Sequence, residues 1–386
     1  LWTNSHGVFL AGCCSFAAYL GCRSMECLVS CGRRAVPTVV LLSGIVVACG
    51  MATLLNPYGL ELHKWLLQSL GTARPEILEW RSPGFFDTVW LSWWVLVALF
   101  FAAVVLSRRP RDLTHLVIIG LTLWQACEHR RHIAFFAILF GFWMPVHVES
   151  LFLRLKRRSA ADADENAIPA RIRWAFIAAI SIAVCLMGSN LVTQLRQIRV
   201  RRDSYPVTAF QYLTDHNLQG KLVTRFKWAQ YAIAAFGTGA PERPSLLVAF
   251  DGRFRTCYPQ EIVDMYFDFA IGNADPNQRS RSPKSPPASG DRILEFESPN
   301  LVLIDRGMAH ATEVMKKNRS YWTLLYQDSL SQLWGRADIY DDPNHPDYLA
   351  NSKRIIGDQP QKGFVAWPAF PRSGVDSRQF AGMEQP

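Results

Sequence analysis

The sequence predicts a membrane protein with two unlike halves. Residues 1–200 form an α-helical polytopic membrane bundle of about six transmembrane helices, and residues 201–340 form a small extracytoplasmic α/β domain. Long apolar runs are confined to the first half, strand-length apolar runs alternate with helical patterns in the second, and basic residues concentrate in short loops between apolar runs. The 49% hydrophobic content of the 386 residues averages these halves, so each is interpreted separately.

The apolar runs match the length that a membrane demands. A helix needs roughly 17–25 apolar residues to cross a hydrocarbon core of about 30 Å. Three runs are almost free of charge: Val36–Leu55, Thr88–Leu106 and Trp174–Val192. Two shorter runs, Leu113–Ala126 and Ile133–Val148, are predicted to form a helical hairpin. The opening run Gly7–Cys22 is brief but lacks the basic leader of a signal peptide. Because Leu1 stands directly inside an element, we expect that N-terminal sequence is missing.

The distribution of arginine and lysine predicts an orientation. Positive residues near helix ends are retained on the cytoplasmic side. Three basic loops would therefore lie in the cytoplasm, and everything after the sixth span would lie outside. These loops carry Arg23, Arg33 and Arg34; Arg108, Arg109 and Arg111; and Arg154, Lys156, Arg157, Arg158, Arg171 and Arg173. The later cluster at residues 196–202 opposes this assignment.

Charge and cysteine content exclude several classes of function. The net charge of +9 is explained by cytoplasmic loops that meet anionic membrane lipids, and no motif supports a nucleic-acid partner. Eight of the nine cysteines lie in or beside apolar runs, and their spacing fits neither a zinc site nor a disulfide framework. No metal ligands are therefore predicted.

The second half has the alternating pattern of a layered α/β structure. We predict a disordered insertion over residues 273–290, which are rich in Pro, Ser, Arg and Asn, and a disordered Pro-rich tail over residues 341–386. The predicted strands are Lys221–Phe226, Ser245–Phe250, Leu301–Ile304 and the hairpin Trp322–Leu333. The predicted helices are Trp228–Phe236, Gln260–Ala270, Arg292–Phe296 and Ala311–Lys317.

Two polar groups near the first spans are candidates for a site. Asn4 and His6 stand at the mouth of the first span, where they would either face a polar cavity and bind substrate or simply lie in the interface. After the Asn56-Pro57-Tyr58-Gly59 turn (56–59), which should end a helix, Leu60–Leu70 has the spacing of a surface helix. Further along this outer loop, Glu79 and Asp87 are candidate catalytic carboxylates, although a solvated carboxylate explains them as well.

The segment between the fourth and fifth spans carries the strongest candidate site. Glu128 is followed by His129, Arg130, Arg131 and His132 with almost no loop around them. Arginine binds oxyanions bidentately and stays charged, so His129, Arg130 and Arg131 are candidate ligands for the phosphate of a lipid-linked donor. Snorkelling arginines that anchor the hairpin to head groups are the alternative.

One candidate site lies in the second half. Asp251 and Arg253 follow a predicted strand, and ligands of α/β layers bind at the carboxyl ends of strands. These two residues could therefore contact a sugar. A glycine turn with a local Asp–Arg pair explains them equally well.

Several motifs together resemble a known family. Leu1-Trp2-x-Asn4-x-His6-Gly7, the Asn56 turn, Pro75-Glu76-Ile77 and Glu79-Trp80-x-Ser82-Pro83 look like bacterial membrane glycosyltransferases of the GT-C type. The later motifs that share this resemblance are Arg130-Arg131, Trp228-x-Gln230-Tyr231, Phe250-Asp251-Gly252-Arg253 and Trp322-x-Leu324-x-Tyr326-x-Asp328. The resemblance covers most of the chain up to about Arg336.

This resemblance implies an enzyme of the bacterial cytoplasmic (inner) membrane with an extracytoplasmic C-terminal domain. It would transfer a sugar from a polyprenyl-phosphate sugar to an envelope acceptor at the outer face, with one carboxylate as base and often a divalent metal. In that class the catalytic acid lies in the first outer loop after the first span, and no residue here matches it. A non-catalytic membrane protein whose outer domain binds glycan or a partner protein is the alternative.

Overall fold

The computed structural model describes residues 2–5, 9–70, 74–155, 170–237, 244–274, 279–372 and 374. The chain divides into two compact units, residues 1–174 and 175–386. Every strand within the described ranges belongs to the second unit. The second half is thus an α/β region with a mixed sheet, as the sequence predicts.

Helices build the described part of the first unit, and a further apolar helix follows it. Short 3-10 turns interrupt them at Gly32–Ala35, Leu78–Trp80, Thr88–Trp90 and Arg130–His132. The α-helices are α1 (Trp2–Ser5), α2 (Phe9–Cys31), α3 (Val36–Ala52), α4 (Leu60–Leu70), α5 (Leu91–Leu106), α6 (Leu113–Glu128), α7 (Ile133–Trp143), α8 (Pro145–Leu155) and α9 (Ala170–Arg196).

Three helical runs within the described residues are long and apolar enough to cross a membrane: Phe9–Ala52, Thr88–Leu106 and Ala170–Arg196. A fourth is obtained if the bent pair α7 and α8 is one span. This is compatible with a membrane protein. The count of six spans and the orientation remain predictions.

The run Phe9–Ala52 is folded back on itself. An unbroken helix of this length would measure about 66 Å, so its two ends could not meet. Yet Asn4 Nδ2 donates to the Leu55 carbonyl at 3.3 Å, and the Phe9 and His63 ring centroids lie 5.9 Å apart. Gly32, at a φ of +55°, lies in the turn between α2 and α3. A left-handed residue at this point suits glycine, which has no Cβ.

Two sequence expectations for the first unit are wrong in detail. Helix α2 continues to Cys31 rather than ending at Cys22, so Arg23 lies inside a helix and not in a loop. The expected span Ile133–Val148 is not continuous, because α7 and α8 are bent by 66° at the break between them. Pro145, at the start of α8, has no amide hydrogen to continue the ladder of α7.

The core of the first unit is aromatic. Phe136 of α7 is fully buried, and its ring lies 5.2 Å from that of Trp93 and 5.6 Å from that of Phe100. Edge-on ring pairs of this kind add to the stabilisation from burial. Helices α5, α6, α7 and α8 all contribute to this cluster, which fixes the loops at their ends.

A six-stranded mixed sheet organises the second unit, with the order β3-β2-β4-β6-β5-β7. Strands β3, β2 and β4 run parallel, while β6 is antiparallel to both β4 and β5. A separate antiparallel pair joins β1 to β8. The strands are β1 (Arg199–Arg201), β2 (Gly220–Thr224), β3 (Leu246–Val248), β4 (Leu301–Asp305), β5 (Trp322–Gln327), β6 (Ser331–Arg336), β7 (Ile355–Ile356) and β8 (Phe364–Ala366).

Four helices of this unit agree closely with the sequence prediction, whereas Val207–Asp215 and Ala337–Tyr340 were not predicted. The helices cover the sheet with apolar faces, and Phe210, Trp228 and Phe236 lie in one core with the strand residues Leu222 and Leu303. The helices are α10 (Val207–Asp215), α11 (Phe226–Phe236), α12 (Gln260–Ile271), α13 (Arg292–Glu295), α14 (Ala309–Lys317) and α15 (Ala337–Tyr340).

The prediction of disorder is wrong for the described parts of the insertion and the tail. Within residues 279–290, Arg279 is buried against α12, with Nη1 at 2.8 Å from Asp268 Oδ1. Within residues 341–372, β7 and β8 pair with β5 and β1. Buried ion pairs hold the described part of the insertion, whereas strand pairing and the burial of Leu349 in the core hold the described part of the tail.

Candidate functional site

Two loops of the first unit meet. Residues 74–90 precede α5, and residues 129–132 join α6 to α7. The Arg130 amide donates to the Arg81 carbonyl at 3.1 Å, and Arg130 Nε donates to the Ser82 carbonyl at 3.1 Å. The structure thus brings together two regions that the sequence singled out separately.

His129 fixes Trp80 in this contact. Its ring Nδ1 lies 2.7 Å from the Trp80 carbonyl oxygen. Because a carbonyl only accepts, Nδ1 carries the proton in this arrangement. The ring centroids of His129 and Trp80 lie 5.3 Å apart, so the imidazole also packs beside the Trp80 indole.

Guanidinium groups cover the indole rings. Arg74 and Arg131 both face Trp80, at 4.7 and 5.2 Å from the ring centroid, and Arg130 faces Trp90 at 5.0 Å. Such cation–π contacts contribute about 0.5–1 kcal/mol each at exposed sites. We call this set the arginine–tryptophan cluster: Arg74, Trp80, Arg81, Trp90, His129, Arg130 and Arg131.

The cluster keeps its positive charge. Arg81 Nε donates to the Pro75 carbonyl at 2.7 Å, and Arg130 uses the Ser82 carbonyl. Across the described ranges, Arg81, Arg130 and Arg131 form no ion pair with a carboxylate. Rings and carbonyls hold these side chains in place without neutralising them. The arrangement therefore suits an anion that needs a planar fork of donors.

The two predicted catalytic carboxylates lie in the same loop but differ in their contacts. Glu79 is exposed in the turn Leu78–Trp80 and, as far as the structure describes, has no hydrogen-bond or ion-pair partner. The exposed Asp87 accepts a hydrogen bond from the Val89 amide at 3.0 Å and so caps the next turn. Capping by Asp is a common structural role. Of the two, Glu79 has the free carboxylate.

Of the two remaining first-unit candidates, Asn4 lies within the described residues. Asn4 is exposed and donates to the Leu55 carbonyl, as the hairpin of α2 and α3 requires. His6 lies outside the described residues. Asn4 is thus engaged in closing a hairpin.

In the second unit, Asp251 and Arg253 form a local ion pair, which is one of the two interpretations that the sequence allowed. Arg253 donates to Asp251 through its amide, Nε and Nη2, the last at 2.6 Å, and Tyr258 Oη donates at 3.0 Å. Burial alone would raise the pKa of Asp251, but these hydrogen bonds and the charge of Arg253 outweigh it and hold that pKa below its usual range. Asp251 is therefore a buried, ionised support for an exposed guanidinium.

Sequence reasoning missed a second Arg–Asp pair, which lies at the ends of two other strands of the sheet. Arg225 follows β2, and its guanidinium forms an ion pair with Asp305, the last residue of β4. The carboxyl ends of parallel strands meet at one edge of a sheet. By the same rule, the predicted strand Leu301–Ile304 indicates Asp305, which follows it, whereas Arg225 lies within the predicted strand Lys221–Phe226.

A further polar cluster links α2 to α6. Arg23 Nη2 lies 2.6 Å from Asp112 Oδ2 and 3.2 Å from His115 Nε2, and Arg23 Nη1 lies 2.7 Å from Glu26 Oε2. The His115 ring stacks on Trp143 at 4.2 Å. Glu26 and Asp112 satisfy the arginine, so this cluster joins helices. The residues are distant in sequence, and no local pattern indicates it.

Comparisons and metal geometry add no further assignment. In the parts of the chain that are described, no group of three or more His, Cys, Asp or Glu residues is arranged to hold a metal ion. No protein-family model, curated protein or solved structure matches this chain.

Proposed function

We propose that this chain is an integral membrane protein that transfers a sugar from a polyprenyl-phosphate donor to an envelope acceptor at the outer face of a bacterial cytoplasmic membrane. The observation that supports the proposal best is the arginine–tryptophan cluster. Arg130 and Arg131, which form no ion pair with a carboxylate in the described structure, lie beside indole rings and directly follow the apolar helix α6. Indole rings favour the membrane interface, where the phosphate of a lipid-linked donor also lies.

In this proposal, each of the groups around the cluster has a role. Arg130 and Arg131 bind the donor phosphate, and Trp80 and Trp90 hold them in position through their rings. Glu79 is the candidate base because its carboxylate is exposed, whereas Asp87 is used as a cap. The base takes the proton of an acceptor hydroxyl, and the hydroxyl oxygen attacks the anomeric carbon. The bond to the phosphate oxygen breaks, and polyprenyl phosphate leaves with the electron pair and a charge that the arginines stabilise.

One observation favours a second candidate function. In the described structure, Glu79 has no neighbour that would orient it, and a catalytic base is ordinarily positioned by a hydrogen bond. A non-catalytic membrane protein that binds a lipid-linked glycan, or whose outer domain binds glycan or a partner protein, would use the same arginines without a base. Binding and transfer must therefore be measured separately.

The test uses the full chain in lipid vesicles with a radiolabelled polyprenyl-phosphate sugar. Hydrogen bonds to charged groups contribute about 1.5–3 kcal/mol each. The Arg130→Gln, Arg131→Gln double variant should therefore bind the donor at least about tenfold more weakly. The matched control is the Arg108→Gln, Arg109→Gln double variant, another adjacent arginine pair, whose hydrogen bonds with Ser150 and Ser107 use the backbone amides. Equal loss in both variants would contradict the phosphate clamp.

Glu79→Gln separates the two candidate functions. Transfer should fall by about a hundredfold or more while donor binding is retained, because the variant loses the base and not the arginines. Asp87→Asn is the control and should retain transfer. Donor binding by the wild-type chain without transfer to any acceptor would favour the non-catalytic protein.

A further inference from the structure

The parallel part of the sheet in the second unit has a reversal of strand order. The chain passes from β2 to β3 on one side and then to β4 on the other side of β2. At such a point the connections leave in opposite directions, and a crevice opens outside the carboxyl ends of the strands. Ligands of open α/β sheets bind in this place.

Positive groups lie on the loops that follow two of these strands. Arg225 follows β2, Lys227 is exposed in the first turn of α11, and Arg253 follows β3. The Phe226 and Phe254 rings, each next to one of the arginines in sequence, lie 5.1 Å apart, so the two loops are in contact. Three positive groups thus lie on adjoining loops.

Buried carboxylates hold both arginines from behind. Asp251 and Asp305 are 1% and 8% exposed, whereas the side chain of Arg253 is 58% exposed and that of Arg225 is 30% exposed. Each guanidinium keeps N–H groups that its carboxylate does not use. Three positive and two negative side chains leave a net charge of +1. This net charge comes from Lys227, while the arginines present N–H donors that their carboxylates hold in place.

Two further groups favour an anion here. The first turn of α11 carries no acidic residue, so the start of the helix is partially positive. Its Phe226 amide donates to the Tyr266 hydroxyl at 2.8 Å and its Trp228 amide to the Arg225 carbonyl at 2.8 Å, which leaves the Lys227 amide without a partner in the described structure. Independently, the Thr224 hydroxyl at the end of β2 is buried and has no hydrogen-bond partner in the described structure. Thr224 shares a sheet face with Leu222, which packs in one core with Trp228 of α11. This unpartnered group therefore lies on the face that α11 covers.

We infer that this crevice is a second anion site, which binds a phosphate or diphosphate group through Arg225, Lys227 and Arg253. The Thr224 hydroxyl and the Lys227 amide at the start of α11 supply further donors. The site does not depend on the arginine–tryptophan cluster and can exist whether or not the chain transfers a sugar.

The test measures protection of Lys227. The full chain in detergent is treated with an acetylating reagent, with and without inorganic diphosphate, and acetylation of each lysine is measured by peptide mass spectrometry. Every sample carries Arg130→Gln and Arg131→Gln, so that diphosphate bound at the arginine–tryptophan cluster cannot account for protection of Lys227. Diphosphate should reduce acetylation of Lys227 at least fivefold. The exposed Lys317, on α14, is the internal control and should not change.

Two variants keep the test decisive. Arg253→Lys retains the charge over Asp251 but loses the planar fork, so tenfold more diphosphate should be needed for the same protection. Arg336→Lys is matched to it, because Arg336 also pairs with a carboxylate two residues away, with Nη2 at 2.5 Å from Asp338 Oδ2. This control should not alter protection. Absence of protection at millimolar diphosphate, or equal effects of the two variants, would overturn the inference.

A final arm distinguishes the sources of phosphate. The same chain is placed in nanodiscs of phosphatidylglycerol or of phosphatidylcholine. Protection of Lys227 by phosphatidylglycerol alone would assign the site to a lipid head group. Protection only after diphosphate is added would assign it to a water-borne phosphate, and absence in every arm would refute the site.

Discussion

Arginines gather in both units, but their partners differ. Around Asp268, whose side chain is fully buried, Arg279 and Arg281 lie at 2.8 and 3.1 Å, and Arg292 lies at 3.8 Å. In the arginine–tryptophan cluster, Arg130 and Arg131 face rings and carbonyls instead. A guanidinium that is itself buried with its carboxylate, as Arg279 is, joins chain segments and is not accessible to an anion. One that faces a ring keeps its charge and remains able to bind an anion.

The variant expected to have the largest effect on stability is Asp268→Ala, which removes the buried carboxylate at the centre of this arginine group. The side chain of Arg279 is 2% exposed, so the variant leaves a buried charge without its principal partner. We expect the free energy of unfolding of the second unit to fall by about 3–5 kcal/mol. Urea unfolding of the full chain in detergent, followed by hydrogen exchange within α12, measures the change.

The control for this prediction is Asp338→Ala. Asp338 is 60% exposed, and its partner Arg336 is 35% exposed. An exposed pair contributes about 0–1 kcal/mol, so this variant should unfold close to the wild type. If the two variants unfold at the same urea concentration, the Asp268 cluster does not hold the segment 279–290.

A smaller effect should follow from Trp80→Ala. The indole faces both Arg74 and Arg131, so its removal loses two cation–π contacts, together about 1–2 kcal/mol. Hydrogen exchange of residues 129–132 should become faster, and affinity for the lipid-linked phosphate should fall about tenfold. Trp124→Ala is the control, because Trp124 is 58% exposed on α6. Unchanged phosphate affinity in Trp80→Ala would mean that the ring does not position the arginines.

Local patterns predicted much of the second unit. Helix Gln260–Ala270 was predicted and Gln260–Ile271 is observed, and strand Leu301–Ile304 extends only to Asp305. Runs of apolar residues set these bounds because each element buries one face on the sheet. Hydropathy could not predict that residues 279–290 are ordered, since their order depends on acids at positions 264 and 268 that α12 buries.

The candidate sites depend on contacts between distant residues. Glu79, Arg130 and Arg131 were named from the sequence, but the contact between Trp80 and Arg131 spans about fifty residues and follows no local rule. Similarly, Asp251 and Arg253 form a local turn that the sequence suggests, whereas Arg225 and Asp305 meet only because β2 and β4 are neighbours in the sheet. Strand order is decided by packing of the whole unit.

The smallest expected effect concerns Asp251, a buried carboxylate beneath an exposed guanidinium. Its pKa is lowered in the folded chain, although burial opposes the shift, so the folded protein holds this proton less tightly than the unfolded chain. The resulting stabilisation is fully present above the usual aspartate pKa of about 3.9 and is lost as the pH falls through the lower folded pKa.

Asp251→Asn removes this contribution, so the difference in unfolding free energy between wild type and variant should shrink as the pH falls below about 4. Urea unfolding at several pH values between about 3 and 6 measures it. A difference that stays constant over this range would mean that Asp251 keeps its usual pKa, so that Arg253 does not stabilise its charge and is freer to bind phosphate than the geometry indicates.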